Sequence, residues 1–285
     1  MKHFYLVENS GKSHVREVAE GIRHFLKEQG CVCAMRGSHD QENEKGYRYT
    51  DASQVSKETE CIIVLGGDGT LIQAARDLAG REIPMIGVNL GTLGYLTQVS
   101  RQEDLGQMLN ALMKDEYLLE KRMMLSGEMY RNGEKIQEDL ALNELVVTRR
   151  ELLKVLKFRI YVNDDCLSQY TADGLIVATP TGSTAYNLSA GGPIVNPSAS
   201  MIILTPICPH ALNDRSIVLS GDDQIEVEIL GDERLDCVAV CDGDATAELK
   251  AGDRIRICRS EIETVLIKLD HGSFLDNLRE KMAGI

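Results

Sequence analysis

Apolar and polar positions alternate in two different textures along this chain. Up to about residue 119, unbroken apolar runs take turns with helical stripes. Phe4 to Val7 reads as a buried strand. Val15, Val18, Ala19, Ile22, Phe25 and Leu26 then recur at the spacing of one helix face, which Gly30 closes. Cys31 to Met35 predicts a short strand and Cys61 to Leu65 a wholly apolar one. Leu71, Ala74, Ala75, Leu78 and Ala79 form a second helical stripe, Ile83 to Val88 another strand, and Leu105 to Leu119 a further helix. Residues 37 to 53 are polar and glycine-bearing, and read as a loop. Strand and helix in alternation predict a parallel sheet with helices on both faces.

From about residue 121 the texture changes to short β-rich runs between turn signals. The signals are Asn132-Gly133, Asn163-Asp164-Asp165, Gly221-Asp222-Asp223, Gly231-Asp232 and Asp242-Gly243. Phe158 to Val162, Ile225 to Ile229 and Ile255 to Cys258 alternate as half-buried antiparallel strands do. An all-β second domain follows, a sandwich in preference to a barrel. Ser273 to Met282 turns helical again and is expected to pack back on the first domain. No internal repeat or low-complexity segment interrupts this plan.

Composition narrows the classes. A chain of 285 residues has room for two modest cores, and 43% hydrophobic residues is ordinary for a globular protein. With 31 basic against 44 acidic residues the net charge is -13, which argues against a nucleic-acid surface. An acidic protein that binds phosphates needs local neutralisation, most simply by magnesium carried with a nucleotide. Eight cysteines include no Cys-x-x-Cys pair, and Cys61, Cys237 and Cys258 sit inside strand patterns as small hydrophobes. A zinc site from Cys31, Cys33 and His39 is the alternative to buried, idle thiols. The start is too short an apolar run for a signal peptide, and no run approaches membrane-spanning length. The setting expected is a reducing cytoplasm.

Two stretches carry candidate chemistry. Residues 180 to 193 read Pro-Thr-Gly-Ser-Thr-Ala-Tyr-Asn-Leu-Ser-Ala-Gly-Gly-Pro behind the apolar run Leu175 to Ala178. Thr181, Ser183, Thr184, Tyr186 and Asn187 can all donate hydrogen bonds, and small neighbours let a ligand approach the backbone. This predicts a pocket wall for a polar ligand; the blander alternative is an ornate turn. Gly66-Gly67-Asp68-Gly69-Thr70 stands between a strand and a helix, the arrangement that cradles phosphate, with Thr70 placed to cap the helix. Asp68 would repel a phosphate, so it is either part of an Asp-Gly turn or a base that takes a hydroxyl proton. Gly11-Lys12-Ser13 imitates a P-loop tail, but the required upstream glycine position is Leu6. Neither Gly66, Gly67, Gly69 nor Gly87, Gly91, Gly94 has Rossmann fingerprint spacing, which argues against a classical hydride-transfer site.

Gly66 to Thr70, Asn143-Glu144, Asp173-Gly174, residues 180 to 193 and Asp242-Gly243 together resemble the NAD kinase family, in the family's order and over most of the chain. That family transfers a phosphoryl group from ATP to the 2′-hydroxyl of the adenosine ribose of NAD. The resemblance implies a Rossmann-like α/β nucleotide-binding domain over 1–119, with a C-terminal helix in 270–285 returning to it. It implies a β-sandwich NAD-binding domain over 120–269 and an active site in the cleft between them. Asp68 is similar to the family's proton-accepting aspartate, Gly67 is implied as a nucleotide-binding position, and Gly69 would lie against the substrate phosphates. Asn143 and Glu144 resemble the pair that holds adenine and ribose; alone, they would fit a solvated strand start. Asp173 matches the acidic residue facing the nicotinamide end. Thr184, Ala185, Tyr186, Asn187, Leu188 and Ser189 match the segment contacting adenine and ribose, and Tyr95 the aromatic residue lining that pocket. Lys154 matches a family contact by spacing, although a solvated loop lysine has the same look.

The chain departs from the family at three places. Gln73 and Thr171 replace basic residues found in relatives, with Lys154, Arg149 or Arg150 as possible substitutes, and Asp244 stands where an amide residue is common. The resemblance implies NAD and ATP as substrates, Mg2+ or another divalent cation delivered with ATP, no dedicated metal ligands, and a homodimer or homotetramer. It implies no nucleic-acid or membrane partner. Two rivals remain: a lipid kinase of the diacylglycerol or sphingosine type, which would need an apolar cleft, and a non-catalytic dinucleotide sensor.

Overall fold

The apolar runs of the first part are the strands of a parallel sheet. His3–Glu8 pairs with Val32–Met35 on one side and Cys61–Leu65 on the other, and Cys61–Leu65 pairs in turn with Met85–Val88. The far edge of Met85–Val88 receives Thr97–Val99 beside Gly87 and Val88, and Leu266 of Arg254–Lys268 beside Met85. The computed structural model describes residues 1–9, 13–35, 50–89, 94–99, 102–150, 154–211, 215–231, 236–269 and 274–283. Gly11, Lys12, His39, Gly91, Asp232, Ser273 and most of the loop read at 37 to 53 lie outside the described residues. Two units emerge: Met1–Lys121 with Thr264–Ile285, and Arg122–Glu263. Residues 264–269, assigned above to the β domain, therefore group with unit 1, as do residues 120 and 121.

Helices cover both faces of the unit 1 sheet. Val18, Ile22 and Leu26 of Ser13–Glu28 and Met108 and Leu112 of Leu105–Met113 share a core with Leu6, Ile63 and Ile86. Helix Asp68–Asp77 lies on the opposite face, where Gly87 leaves room. A Cβ there would come within 2.8 Å of the Leu71 side chain and 2.9 Å of Thr97. With both faces covered, Cys61–Leu65 is buried throughout. Gly30 ends the first helix in the left-handed conformation (φ 76°), and the Cys31 N–H donates to the Leu26 carbonyl at 2.9 Å. The third helix stops at Met113, short of the expected Leu119. Asp115 adopts a left-handed φ of 57°, and Leu118 and Leu119 are exposed at the start of strand Leu118–Arg131. The C-terminal helix is Phe274–Ala283.

Unit 2 is a sandwich of two antiparallel sheets. One orders Ile217–Ser220, Met201–Ile207, Gly174–Ala178, Glu144–Arg149, Cys237–Cys241 and Asp244–Leu249 side by side. The other contains Asp165–Ala172, Leu156–Val162, Ile225–Leu230 and the first part of Arg254–Lys268, with Leu118–Arg131 and Glu134–Ala141 beyond it. Their inner faces meet in a core that includes Phe158, Ile160, Val227, Ile255, Leu175 and Val177. Three hairpins turn at Asn132-Gly133, Asn163-Asp164 and Asp242-Gly243, each with positive φ at both residues, as type I′ turns require. The outer face of the first sheet is apolar too: Val146, Ile176, Ala178 and Ile203 are covered by Ala190 and Val195. Gly174–Ala178 is thereby buried on both faces, and the segment that follows it is folded back over its own sheet.

Among the described residues no helix is long and apolar enough to cross a membrane. Cys31, Cys33, Cys61, Cys237 and Cys241 are buried, and burial pushes the Cys33 and Cys237 thiols up to about 12. Cys33 and Cys237 thus remain neutral thiols, and the five pack as small hydrophobes.

Candidate functional site

In unit 1 the candidate residues gather at the carboxyl end of Cys61–Leu65. Gly67 is the extended residue before helix Asp68–Asp77, and no side chain caps that helix. Thr70, expected as the cap, is instead buried in the helix's first turn, and a Cβ at Gly66 would overlap its hydroxyl. The strand ends at Leu65 as expected, and the helix begins at Asp68, ahead of the expected cap. Asp68 occupies the first turn, where a carboxylate suits the helix dipole.

The Asp68 carboxylate is aimed by backbone. Oδ2 accepts the Tyr95 N–H at 2.7 Å and Oδ1 accepts the Leu96 N–H at 3.1 Å. Gly94, whose N–H donates to Thr97 Oγ1 at 2.8 Å, has no space for a side chain, because a Cβ would overlap that same carboxylate. Tyr95 therefore enters the site through its amide, while its ring lies 5.6 Å from the Lys281 ammonium of the C-terminal helix. Gly69 is exposed with open space on its Cβ side, so a ligand can reach the backbone beside Asp68. Each carboxylate oxygen keeps a further lone pair for a hydroxyl proton.

In unit 2, Asn143 and Glu144 stand at the start of Glu144–Arg149. Asp242 accepts the N–H groups of Leu142, Asn143 and Glu144 at 2.7, 2.8 and 3.0 Å. From the other side Thr179 donates its N–H to the Asn143 carbonyl at 2.8 Å and its hydroxyl to the Leu142 carbonyl at 2.6 Å. Glu144 is only 8% exposed, and its Oε2 is buried with no hydrogen-bond partner. Burial, with Asp242 adding like charge, pushes its carboxyl up to about 8. A buried orphan carboxyl is costly, and it points to a donor that arrives with a ligand.

Residues 180 to 193 are packed from within, and the expectation for their side-chain donors needs correction. Ser183 Oγ donates to the Pro180 carbonyl at 2.6 Å and accepts the Val195 N–H at 3.0 Å. Asn187 is 0% exposed; its amide donates to Ser183 and Pro193 carbonyls at 3.1 Å and accepts the Thr205 hydroxyl at 2.7 Å. Thr181 is buried and accepts from Arg122 at 3.3 Å, and Thr184 donates to the Thr181 carbonyl at 3.3 Å. Ser183, Asn187 and Thr181 thus hold the segment's shape. Gly182 and Gly192 fit tightly, since a Cβ would overlap the Asn143 carbonyl or the Asn187 amide respectively. The surface left for a ligand is Tyr186, Leu188 and Ser189, all exposed, with Thr184 and Ala185 half-buried.

Asp173 sits elsewhere in this unit. Ala178 pairs with Glu144 and Gly174 with Thr148, so Asp173 and Glu144 mark opposite ends of the strand pair, about 17 Å apart at 3.3 Å per residue. Its carboxylate pairs with Arg149 Nε at 2.8 Å, and Arg150 pairs with Glu248 at 2.6 Å. Both arginines are engaged with acidic partners in this arrangement. Thr171 lies on the strand Asp165–Ala172, where its carbonyl accepts the His210 N–H at 2.9 Å, and Gln73 is half-buried in the helix after Asp68. Lys154 is exposed beside residues 151–153, which are outside the described set. Asp244 is exposed at the start of its strand, next to the Asp242-Gly243 turn. The sequence reading missed Asp242 and Thr179 as residues that hold the site; a hairpin Asp-Gly and a threonine at a strand end were the available signals.

Among the described residues no group of three or more His, Cys, Asp or Glu side chains is placed to hold a metal ion. The carboxylate at Asp68 and the open backbone at Gly69 suit a cation-bearing phosphate ligand.

Known proteins agree on the relationship. The ATP-NAD kinase N-terminal domain profile matches residues 4–117, and the ATP-NAD kinase C-terminal domain profile matches residues 142–269. The chain is 45% identical to an NAD kinase of Lachnospira eligens, covering 99% of this chain and 100% of that one. It is 44% identical to an NAD kinase of Agathobacter rectalis, covering 99% of each. The structure superposes on an Archaeoglobus fulgidus NAD kinase in complex with ATP with TM-score 0.78 and 27% identity, over 99% of both chains. A yeast NADH kinase complexed with NADH shares the fold at TM-score 0.87 and 22% identity, over 99% of this chain and 88% of that one.

Proposed function

Because the chain belongs to the NAD kinase family, we propose that it transfers the terminal phosphoryl group of ATP to the 2′-hydroxyl of the adenosine ribose of NAD, giving NADP and ADP. The observation that carries this reading is the Asp68 carboxylate, fixed by the Tyr95 and Leu96 amides beside the open backbone of Gly69. The ribose oxygen attacks the γ-phosphorus as its proton passes to Asp68, and the bond from that phosphorus to the β-γ bridging oxygen breaks to release ADP. Magnesium delivered with ATP would supply charge neutralisation at the phosphates, beside Asp68 and the open Gly69 backbone.

Glu144 is the natural acceptor for ribose hydroxyls, since its buried Oε2 has no partner of its own. Tyr186 would cover a ring of the dinucleotide, a role its exposure on the 180 to 193 wall supports. Cytoplasmic location and a homodimer or homotetramer complete the proposal, on family analogy.

Purified protein is incubated with ATP, magnesium and NAD, and NADP is assayed. NADP formation in proportion to enzyme is expected. Binding of NAD without turnover would make the protein a sensor, and label transfer to diacylglycerol in place of NAD would make it a lipid kinase.

A further inference from the structure

The Asp242-Gly243 turn does more than reverse the chain. Its aspartate accepts three successive backbone N–H groups, those of Leu142, Asn143 and Glu144, at 2.7, 2.8 and 3.0 Å. In return its own N–H donates to the Glu144 carbonyl at 3.1 Å. We propose that Asp242 is a positioning residue for the dinucleotide: its carboxylate fixes Asn143 and Glu144 in the register that presents them to the NAD ribose. The proposal rests on the NAD kinase reading above.

Three features carry it. The ladder between Cys237–Cys241 and Glu144–Arg149 begins at the Cys241 and Leu145 pair, so the N–H groups of residues 142 to 144 lie beyond it and depend on another acceptor. Three consecutive amides converging on one anion form a concave nest, and such charge-assisted bonds are short and strong. Second, Asp242 holds a left-handed φ of 49°, a conformation glycine adopts without strain, so what the aspartate adds is its carboxylate. Third, Thr179 holds the segment from the opposite side through the Asn143 and Leu142 carbonyls, so Asn143-Glu144 is gripped on both edges.

The clamp has an electrostatic consequence. Across the strands Glu144 pairs with Ala178 and lies next to the Leu145 and Cys241 pair; among the described residues, the charged group acting on it is Asp242. That neighbour makes ionisation of Glu144 harder, and removing its charge lets Glu144 ionise at lower pH.

Asp242→Asn and Asp242→Gly both tolerate the left-handed turn and test the idea in the full chain. The KM for NAD is expected to rise about tenfold or more, while the KM for ATP stays within about twofold. The alkaline rise of NAD affinity is expected to begin at lower pH in both variants. The midpoint reports the charge of Asp242 beside Glu144, and a KM rise confined to NAD reports the clamp even if the variants melt earlier. An unchanged NAD KM or an equal rise in both KM values would each overturn the clamp. Absence of NADP formation by the unmodified protein would instead remove the NAD kinase reading itself.

Discussion

Asp68 and Glu144 are both carboxylic acids at candidate sites, and the fold treats them in opposite ways. Asp68 is half-buried at a helix start, with each oxygen holding a backbone N–H. Glu144 is buried to 8% exposure, has one oxygen with no partner, and sits beside the like charge of Asp242. The first is aimed at low energetic cost, as a group that must work at a fixed angle should be. The second is kept buried and unpartnered at a cost to folding, a state that a bound hydrogen-bond donor would relieve. Glycines do the aiming in unit 1, and buried polar side chains support the wall in unit 2.

The sharpest break of this contrast is Asp68→Asn. An amide preserves the shape but cannot take the proton, so kcat should fall by about two to four powers of ten. NAD affinity, measured by calorimetry, should remain close to that of the unmodified protein. Full activity would end the general-base role, and lost binding would make Asp68 a structural turn.

Glu144→Gln comes next and should move stability and affinity in opposite directions. The carboxyl ionises near 4.5 in an unfolded chain but holds its proton to about pH 8 in the fold. The folded state therefore binds more protons between those values, and stability present below pH 4.5 is lost as pH rises through 8. Glutamine removes that loss, so the variant should melt higher than the unmodified protein at about pH 9 and similarly at about pH 5. NAD binding should weaken about tenfold or more, because a charge-assisted bond to a ribose hydroxyl is worth roughly 1.5 to 3 kcal/mol. In the unmodified protein NAD affinity should climb as pH rises toward 8, where the better acceptor forms. A variant that melts lower at alkaline pH would show that Glu144 is not destabilising.

Much of this was legible in the chain because backbone demands leave marks in sequence. Gly66-Gly67-Asp68-Gly69 announces a strand-to-helix loop, and unbroken Cys61 to Leu65 announces a strand covered on both faces. The α/β unit and the β-sandwich both follow from such patterns. Side-chain direction leaves no comparable mark. Thr181, Ser183 and Asn187 read as ligand donors, yet the 180 to 193 segment lies over an apolar sheet face with Ile176 and Ala178. There its own carbonyls and amides need partners, and those side chains supply them. Likewise, Leu118 and Leu119 continue a helical stripe on paper, but Asp115 breaks the helix before them.

A smaller effect is expected from Tyr186→Ala. The ring is 44% exposed, which removes the alternative that it is core beneath the loop. Loss of a stacked ring should raise the NAD dissociation constant severalfold, from about 0.5 to 1.5 kcal/mol beyond area burial. The thermal midpoint should stay within about 1 °C, as for an exposed side chain away from special features. A clear drop in melting with unchanged NAD affinity would place the ring in the fold's support instead.

The smallest effect tests how far the aiming of Asp68 extends. Lys281 on the C-terminal helix lies 5.6 Å from the Tyr95 ring, and the Tyr95 amide is one of the two groups that hold Asp68. A cation over an aromatic face is worth roughly 0.5 to 1 kcal/mol where water is near, which corresponds to about two- to fivefold in a rate. If that contact steadies residues 94 to 96, Lys281→Gln should lower kcat by such a factor and leave the KM for NAD unchanged. Lys281→Arg, which keeps a cation over the ring, should restore most of the rate. Asp68→Asn already lacks the proton acceptor, so adding Lys281→Gln to it should cost nothing further; an additive loss would mean that Lys281 acts elsewhere. Unchanged kcat in the single variant would confine the aiming to Gly94, Tyr95 and Leu96 themselves.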